Sequence, residues 1–128
     1  MGQPVVHFEV IGTDPAKLRA YYQELFGWEY QQHSPVAAEV SQPDSYAFIN
    51  RMTTEDGTGI PGGVGGGPTY ESHAIFYVGV PDVEDALRRA ERLGGSRVMG
   101  PARNEGGGVV VGHFTDPNGN LMGVAGPA

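Results

Sequence analysis

The feature that most constrains how this chain can fold is that it nearly repeats itself. Sliding the sequence by 68 residues lays Asp14 on Asp82, Leu25 on Leu93 and Gly27 on Gly95. Each copy reads as a strand, a helix, and then two or three strand-like runs separated by turn residues. A period of this length implies one supersecondary unit used twice, because such a unit buries its apolar face only against a neighbour. The order of elements predicts an α+β fold of two tandem β-α-β-β-β units, about 1–66 and 67–128, within a single domain. At 128 residues the chain is long enough to bury a core without staples.

Both helices carry their boundaries in the sequence. In "TDPAKLRAYYQELFGW" Asp14 is placed to cap the first turn, Pro15 suits the first helical position, and Gly27 suits the left-handed stop. Leu18, Tyr21, Tyr22 and Leu25 recur at helical spacing and are expected to form one buried stripe. In "PDVEDALRRAERLGGS" Asp82 caps, Asp85 follows three residues on, and Gly94-Gly95 end the helix. Its expected stripe is Val83, Ala86, Leu87, Ala90 and Leu93. The strands ahead of the helices are "VVHFEVIG" (5–12) and "HAIFYVGV" (73–80). Further strand candidates cover 28–33, 46–51 and 59–64, then 96–100, 108–114 and 120–125. The Gly/Pro-rich stretch 57–68 joins the units. No Lys-Ser/Thr pair and no helix follow its glycines, so it reads as a flexible connection with a bare-backbone strand rather than a phosphate loop.

Alternation along the strands separates two faces. In strand 5–12 Val6, Phe8 and Val10 point one way, and Val5, His7, Glu9 and Ile11 the other. In strand 73–80 Ala74, Phe76, Val78 and Val80 make an apolar face suited to the helix, with His73, Ile75, Tyr77 and Gly79 opposite. With Phe114 under a helix, Val111, His113 and Thr115 share the polar face. Three of the four histidines, a glutamate and a tyrosine are thereby expected on the face away from the helices. Such a face either meets water or curls around something.

Composition excludes several partners. The net charge is −7, from 15 acidic against 8 basic residues spread along the chain, which disfavours nucleic acid. There is no cysteine, hence no disulfide, thiolate metal site or cysteine nucleophile. No stretch approaches a membrane span and no leader pattern opens the chain, so a cytoplasmic protein without membrane partners is expected.

The repeated unit, with "HFEVIGTDPAKLRAYYQELFGW", "VGVPDVEDALRRAERLGG" and "FTDPNGNLMGV", resembles the vicinal-oxygen-chelate superfamily, which includes glyoxalase I, bleomycin-resistance proteins and extradiol dioxygenases. The resemblance covers nearly the whole chain. It implies a cupped, mixed eight-stranded sheet with the helices on its outer face, a small organic ligand in the concavity, and a homodimer. Metal-dependent members place up to four ligands on strands of the cup. His7 stands at the first-strand position; its repeat partner is Ile75, which has no donor. The end-of-unit positions fall at Gly123 and within Gly62-Gly63-Val64. One imidazole does not hold a divalent ion where three protein ligands are the rule. The resemblance therefore implies a glyoxalase-like member that has lost most of its metal-ligand positions, with no cofactor expected.

Two functional classes follow. One is a metal-independent module that binds a small molecule for sequestration or resistance. The other is an enzyme, a lyase, isomerase or dioxygenase. In it His7 and Glu9, neighbours on one strand face, form an acid/base pair, and the carboxylate favours the charged imidazolium. His7 and Glu9 with His73 or His113 make an alternative metal set of two histidines and a carboxylate, suited to iron or manganese. His73, Tyr77, His113 and Phe48 are the candidate ligand-binding residues. Of these, His113 is expected near the rim, while the alternation of Phe48 with Tyr46 and Asn50 leaves the side facing the cup open. His33 is expected to be solvated, and Trp28 to plug the core beside Phe26.

Overall fold

The computed structural model describes residues 2–31, 34–50, 52–104 and 106–128. Seven strands and two helices run through them: β1 (Val5–Gly12), α1 (Pro15–Phe26), β2 (Ala47–Ile49), β3 (Gly62–Gly66), β4 (His73–Gly79), α2 (Val83–Arg92), β5 (Ser96–Arg103), β6 (Val109–Thr115) and β7 (Leu121–Pro127). This is the α+β repeat less one expected strand. Of the expected run at 28–33, the described residues 28–31 form a bridge between Tyr30 and Ile49, with the Gln31 N–H donating to the Phe48 carbonyl at 2.8 Å. His33 lies outside the described residues. No helix among the described residues is long and apolar enough to cross a membrane.

The chain divides into two compact units, a first of His7–Ala74 and a second of Met1–Val6 with Ile75–Ala128. These limits differ from the repeat limits for local reasons. The Pro4 carbonyl accepts from the Gly79 N–H at 2.8 Å, which ties the N-terminal residues to β4. Residues 67–74 stay with the first unit, where the Gly67 N–H donates to the Gly12 carbonyl (3.0 Å) and the Tyr70 hydroxyl to the Ala38 carbonyl (2.7 Å).

In the first unit β3 pairs parallel with β1 and antiparallel with β2, giving the order β2-β3-β1. Helix α1 has the expected ends: Asp14 Oδ1 accepts from the Lys17 N–H at 3.2 Å, and Gly27 stops it at φ 72°. Its stripe is not buried. Tyr21 is 59% exposed and Leu25 55%, while Leu18 and Tyr22 are half-buried. The neighbouring strand β3 reads GGVGG and offers almost no side chains for a helix to grip. Leu18 instead lies over Gly12, where an added Cβ would come within 3.0 Å of Leu18 Cδ2. Trp28 does sit beside Phe26, at 5.3 Å between ring centroids, with Tyr22 and Phe8 around it. Phe26 is 56% exposed, however, so these rings form a half-open cluster and not a core plug. Much of the buried apolar surface comes from an unexpected source, Val36, Ala37 and Val40 in the segment before β2.

In the second unit β4 and β7 run parallel, and β7, β6 and β5 pair antiparallel in that order. Asp82 caps α2 by accepting from the Asp85 N–H at 3.0 Å. Val83 and Leu87 pack with Val80 and Val124, supported by Val78, Ala86, Val110 and Phe114. Leu87 fits the space left by Gly112, whose added Cβ would lie 2.7 Å from Leu87 Cδ1. Leu93, expected in the stripe, is exposed because the helix ends at Arg92. Phe76 also departs from expectation: it is 41% exposed, whereas Ile75 and Tyr77 on the opposite face are buried. Among the described residues the α2 cluster takes Val78 from β4 and Val80 just after it, and not Phe76, so the start of that apolar face lies outside the cluster.

Candidate functional site

The side of β1 away from α1 carries His7, Glu9 and Ile11. Across the sheet of the first unit, Glu9 aligns with Gly63 of β3, and Gly63 with Phe48 of β2. Tyr46, two residues before Phe48, shares that face and organises it. Its hydroxyl donates to Glu9 Oε1 at 2.9 Å and lies 3.0 Å from His7 Nε2. A phenol has one proton to give. With that proton on the Glu9 bond, the hydroxyl accepts from His7 Nε2–H, so the neutral ring is the Nε2–H tautomer. Phe48 stands edge-on to His7, 5.9 Å between centroids, and to Tyr46 at 5.7 Å. Glu9 and Tyr46 are buried, and His7 and Phe48 half-buried.

Burial pushes the His7 imidazole down to about 4, so the ring is neutral at neutral pH. This corrects the expectation that Glu9 would favour the imidazolium. The proton facing Glu9 Oε1 is supplied by the Tyr46 phenol, and desolvation of the ring prevails.

Tyr46 was absent from the sequence-derived candidates, yet a signal for it exists. Gly63 and Gly65 are alternate residues of β3 and so share a face. A Cβ on Gly63 would run into the Tyr46 hydroxyl, and one on Gly65 would approach Tyr46 Cδ2 at 2.6 Å. Alternate glycines in a strand mark room kept for a large side chain from a neighbour.

The second unit has its own polar pair. Tyr77 aligns with Gly123, and Gly123 with His113. The Tyr77 hydroxyl and His113 Nε2 share a hydrogen bond of 2.8 Å. Both residues are buried, so His113 is not at a rim as expected. A Cβ on Gly123 would lie 2.6 Å from Tyr77 Cδ1. His73, half-buried in the first unit, donates from Nδ1 to the Glu71 carbonyl at 2.8 Å. Thus His7, Glu9 and Phe48 are brought together by Tyr46, and Tyr77 is paired with His113.

A β-α-β repeat in which each unit packs a helix on one face of a mixed sheet, and turns polar residues to the other face, is the vicinal-oxygen-chelate architecture. The family model described as Glyoxalase/Bleomycin resistance protein/Dioxygenase superfamily matches residues 5–124, and the chain belongs to that superfamily. No protein of curated function matches it. Among solved structures, a Streptomyces coelicolor methylmalonyl-CoA epimerase variant in complex with 2-nitronate-propionyl-CoA is 18% identical, with a TM-score of 0.67 over 98% of each chain. A methylmalonyl-CoA epimerase in complex with methylmalonyl-CoA and NH4+ is 16% identical, with a TM-score of 0.66 over 98% of this chain and 95% of that one. A hypothetical protein from Bacillus halodurans C-125 is 12% identical, with a TM-score of 0.63 over 100% and 96%. At these identities the likeness is one of fold.

The superfamily implies a divalent metal, and the residues present do not fit one. Of the four implied positions only His7 offers a donor. Ile75 is apolar and buried, and at Gly63 and Gly123 the space a longer side chain would need is filled by Tyr46 and Tyr77. Among the described residues no group of three His, Cys, Asp or Glu side chains is placed to hold a metal ion. Within the first unit His7, Glu9 and His73 are accordingly not grouped to hold a metal ion.

Proposed function

We propose that this protein binds a small organic molecule, without a metal ion, on the His7–Glu9 face of its first unit, and that it does so as a cytoplasmic homodimer. The observation that carries this reading is the Tyr46 hydroxyl beside Gly63, within the Gly62-Gly63-Val64 stretch where the family resemblance implies a metal-binding carboxylate. A half-buried imidazole and the Phe48 ring border a buried tyrosine–carboxylate pair, a mixture of apolar wall and few polar groups suited to a small ligand. His73 is a further proposed ligand-binding residue of this unit, and Tyr77 and His113 are proposed separately as ligand-binding residues of the second unit. The test is a screen of planar aromatic, glycopeptide-like and acyl-CoA compounds, followed through the His7 resonance and repeated on Glu9→Gln. Ligands that shift His7 and bind Glu9→Gln at least tenfold differently support the reading. Ligands that disturb neither place the site elsewhere.

One observation favours a second reading, an acid–base enzyme. A neutral imidazole coupled through a phenol to a buried carboxylate can move a proton, and epimerases share the fold. Incubating each binding compound in D2O separates the two. Deuterium entering an acidic C–H bond, and lost in His7→Gln and Glu9→Gln, establishes turnover; unexchanged ligand leaves the binding role.

A further inference from the structure

We infer that Tyr46 is the positioning residue of this site: its hydroxyl fixes which nitrogen of His7 carries the proton. The geometry places it between the two, 3.0 Å from His7 Nε2 and 2.9 Å from Glu9 Oε1. A hydroxyl that donates to one partner accepts from the other, so the two bonds set each other's direction.

The ring is held where it can do this. Gly63 and Gly65 leave the space it fills, and Phe48 packs edge-on against it. In the first unit the titratable groups facing His7 include Glu9 on β1 and Tyr46 ahead of β2. Phe48 on β2 is apolar, and Gly63 of β3 stands in the same row. The second unit contains the same device built from different positions. By register Tyr77 corresponds to Glu9 and His113 to Phe48, yet again a tyrosine covers a glycine and its hydroxyl meets a histidine Nε2. Two unlike placements that end in one arrangement point to the tyrosine–histidine bond as the built feature.

The functional weight of this inference rests on the proposed binding face, but proton placement is measured on the ligand-free protein and fails or stands separately. Histidine 15N NMR of the wild type and of Tyr46→Phe, across about pH 4 to 8, supplies the test. In the wild type His7 is expected as the Nε2–H tautomer. Tyr46→Phe retains the ring over Gly63 but removes the hydroxyl; a mixture of tautomers is expected. Glu9→Gln keeps the phenol and an oxygen for it to bond, so it should preserve the tautomer. An Nδ1–H tautomer in the wild type, or an unchanged His7 in Tyr46→Phe, overturns the inference. A lost tautomer preference in Glu9→Gln does so too. Should Tyr46→Phe fail to fold, the wild-type and Glu9→Gln spectra still decide.

Discussion

The two neighbours Phe76 and Tyr77 offer a sharp test of where β4 is buried. Tyr77 is 2% exposed, covers Gly123 and bonds His113, so Tyr77→Ala opens an enclosed cavity and takes a hydrogen bond from a buried imidazole. Losing a buried aromatic costs about 3–5 kcal/mol, and taking a partner from a buried polar group about 1–3 kcal/mol. A combined loss of about 4–8 kcal/mol is expected. Phe76, 41% exposed, keeps only part of the burial of a phenylalanine, worth about 1.5–3 kcal/mol when complete. Phe76→Ala leaves a dent open to solvent and should cost about 1–2 kcal/mol. A gap of at least about 2 kcal/mol corresponds to roughly a thirtyfold difference in unfolding constant. Urea unfolding followed by circular dichroism resolves it as a difference in midpoint. Equal losses, or a larger loss for Phe76→Ala, would refute the face assignment and with it the buried tyrosine over Gly123.

Acid stability follows from His7. Its folded value of about 4 lies below the ordinary 6.5, so on acidification the unfolded chain takes up the proton first. The contribution is therefore complete above pH 6.5 and is lost as the pH falls towards 4, by at most about 3 kcal/mol and less for a half-buried ring. Thermal melts at pH 7 and pH 4.5 should differ less for His7→Gln than for the wild type; an equal or wider difference contradicts the burial of a neutral ring. At the start of α2, Asp82→Ala removes the acceptor of the Asp85 N–H and should cost about 1 kcal/mol in thermal or urea unfolding. No measurable loss would mean that the cap is not formed in solution.

What the sequence disclosed and what it hid divide along physical lines. Helix ends depend on short-range chemistry, and Asp14, Asp82 and Gly27 act as read. Alternation also sorted β1 correctly, because side chains of one strand take opposite faces whatever packs on them. Burial was less legible, since it depends on what lies opposite. The stripe of α1 failed against the bare strand β3, and Phe76 failed because it lies outside the α2 cluster. The site was half legible. His7 and Glu9 stood out as polar residues on one strand face, but Tyr46 is joined to them only through β3, far away in sequence. Its trace lay in the glycines at 63 and 65, which announce an absent side chain without saying whose ring fills the space. The charge of His7 was misjudged for a similar reason: the neighbouring carboxylate is visible in the sequence, the desolvating surroundings are not.

The central claim is that tyrosines have closed two of the positions at which this superfamily's metal ligands are expected. Metal titration tests it most directly, with zinc, nickel, iron(II) and manganese added to the chelator-treated protein while bound ion is counted and the His7 resonance is followed. Well under one ion per chain, no displacement of the His7 signal, and a melting point indifferent to chelator are predicted. One tightly held ion per chain that shifts or broadens His7, and that is lost in His7→Gln, would contradict the account.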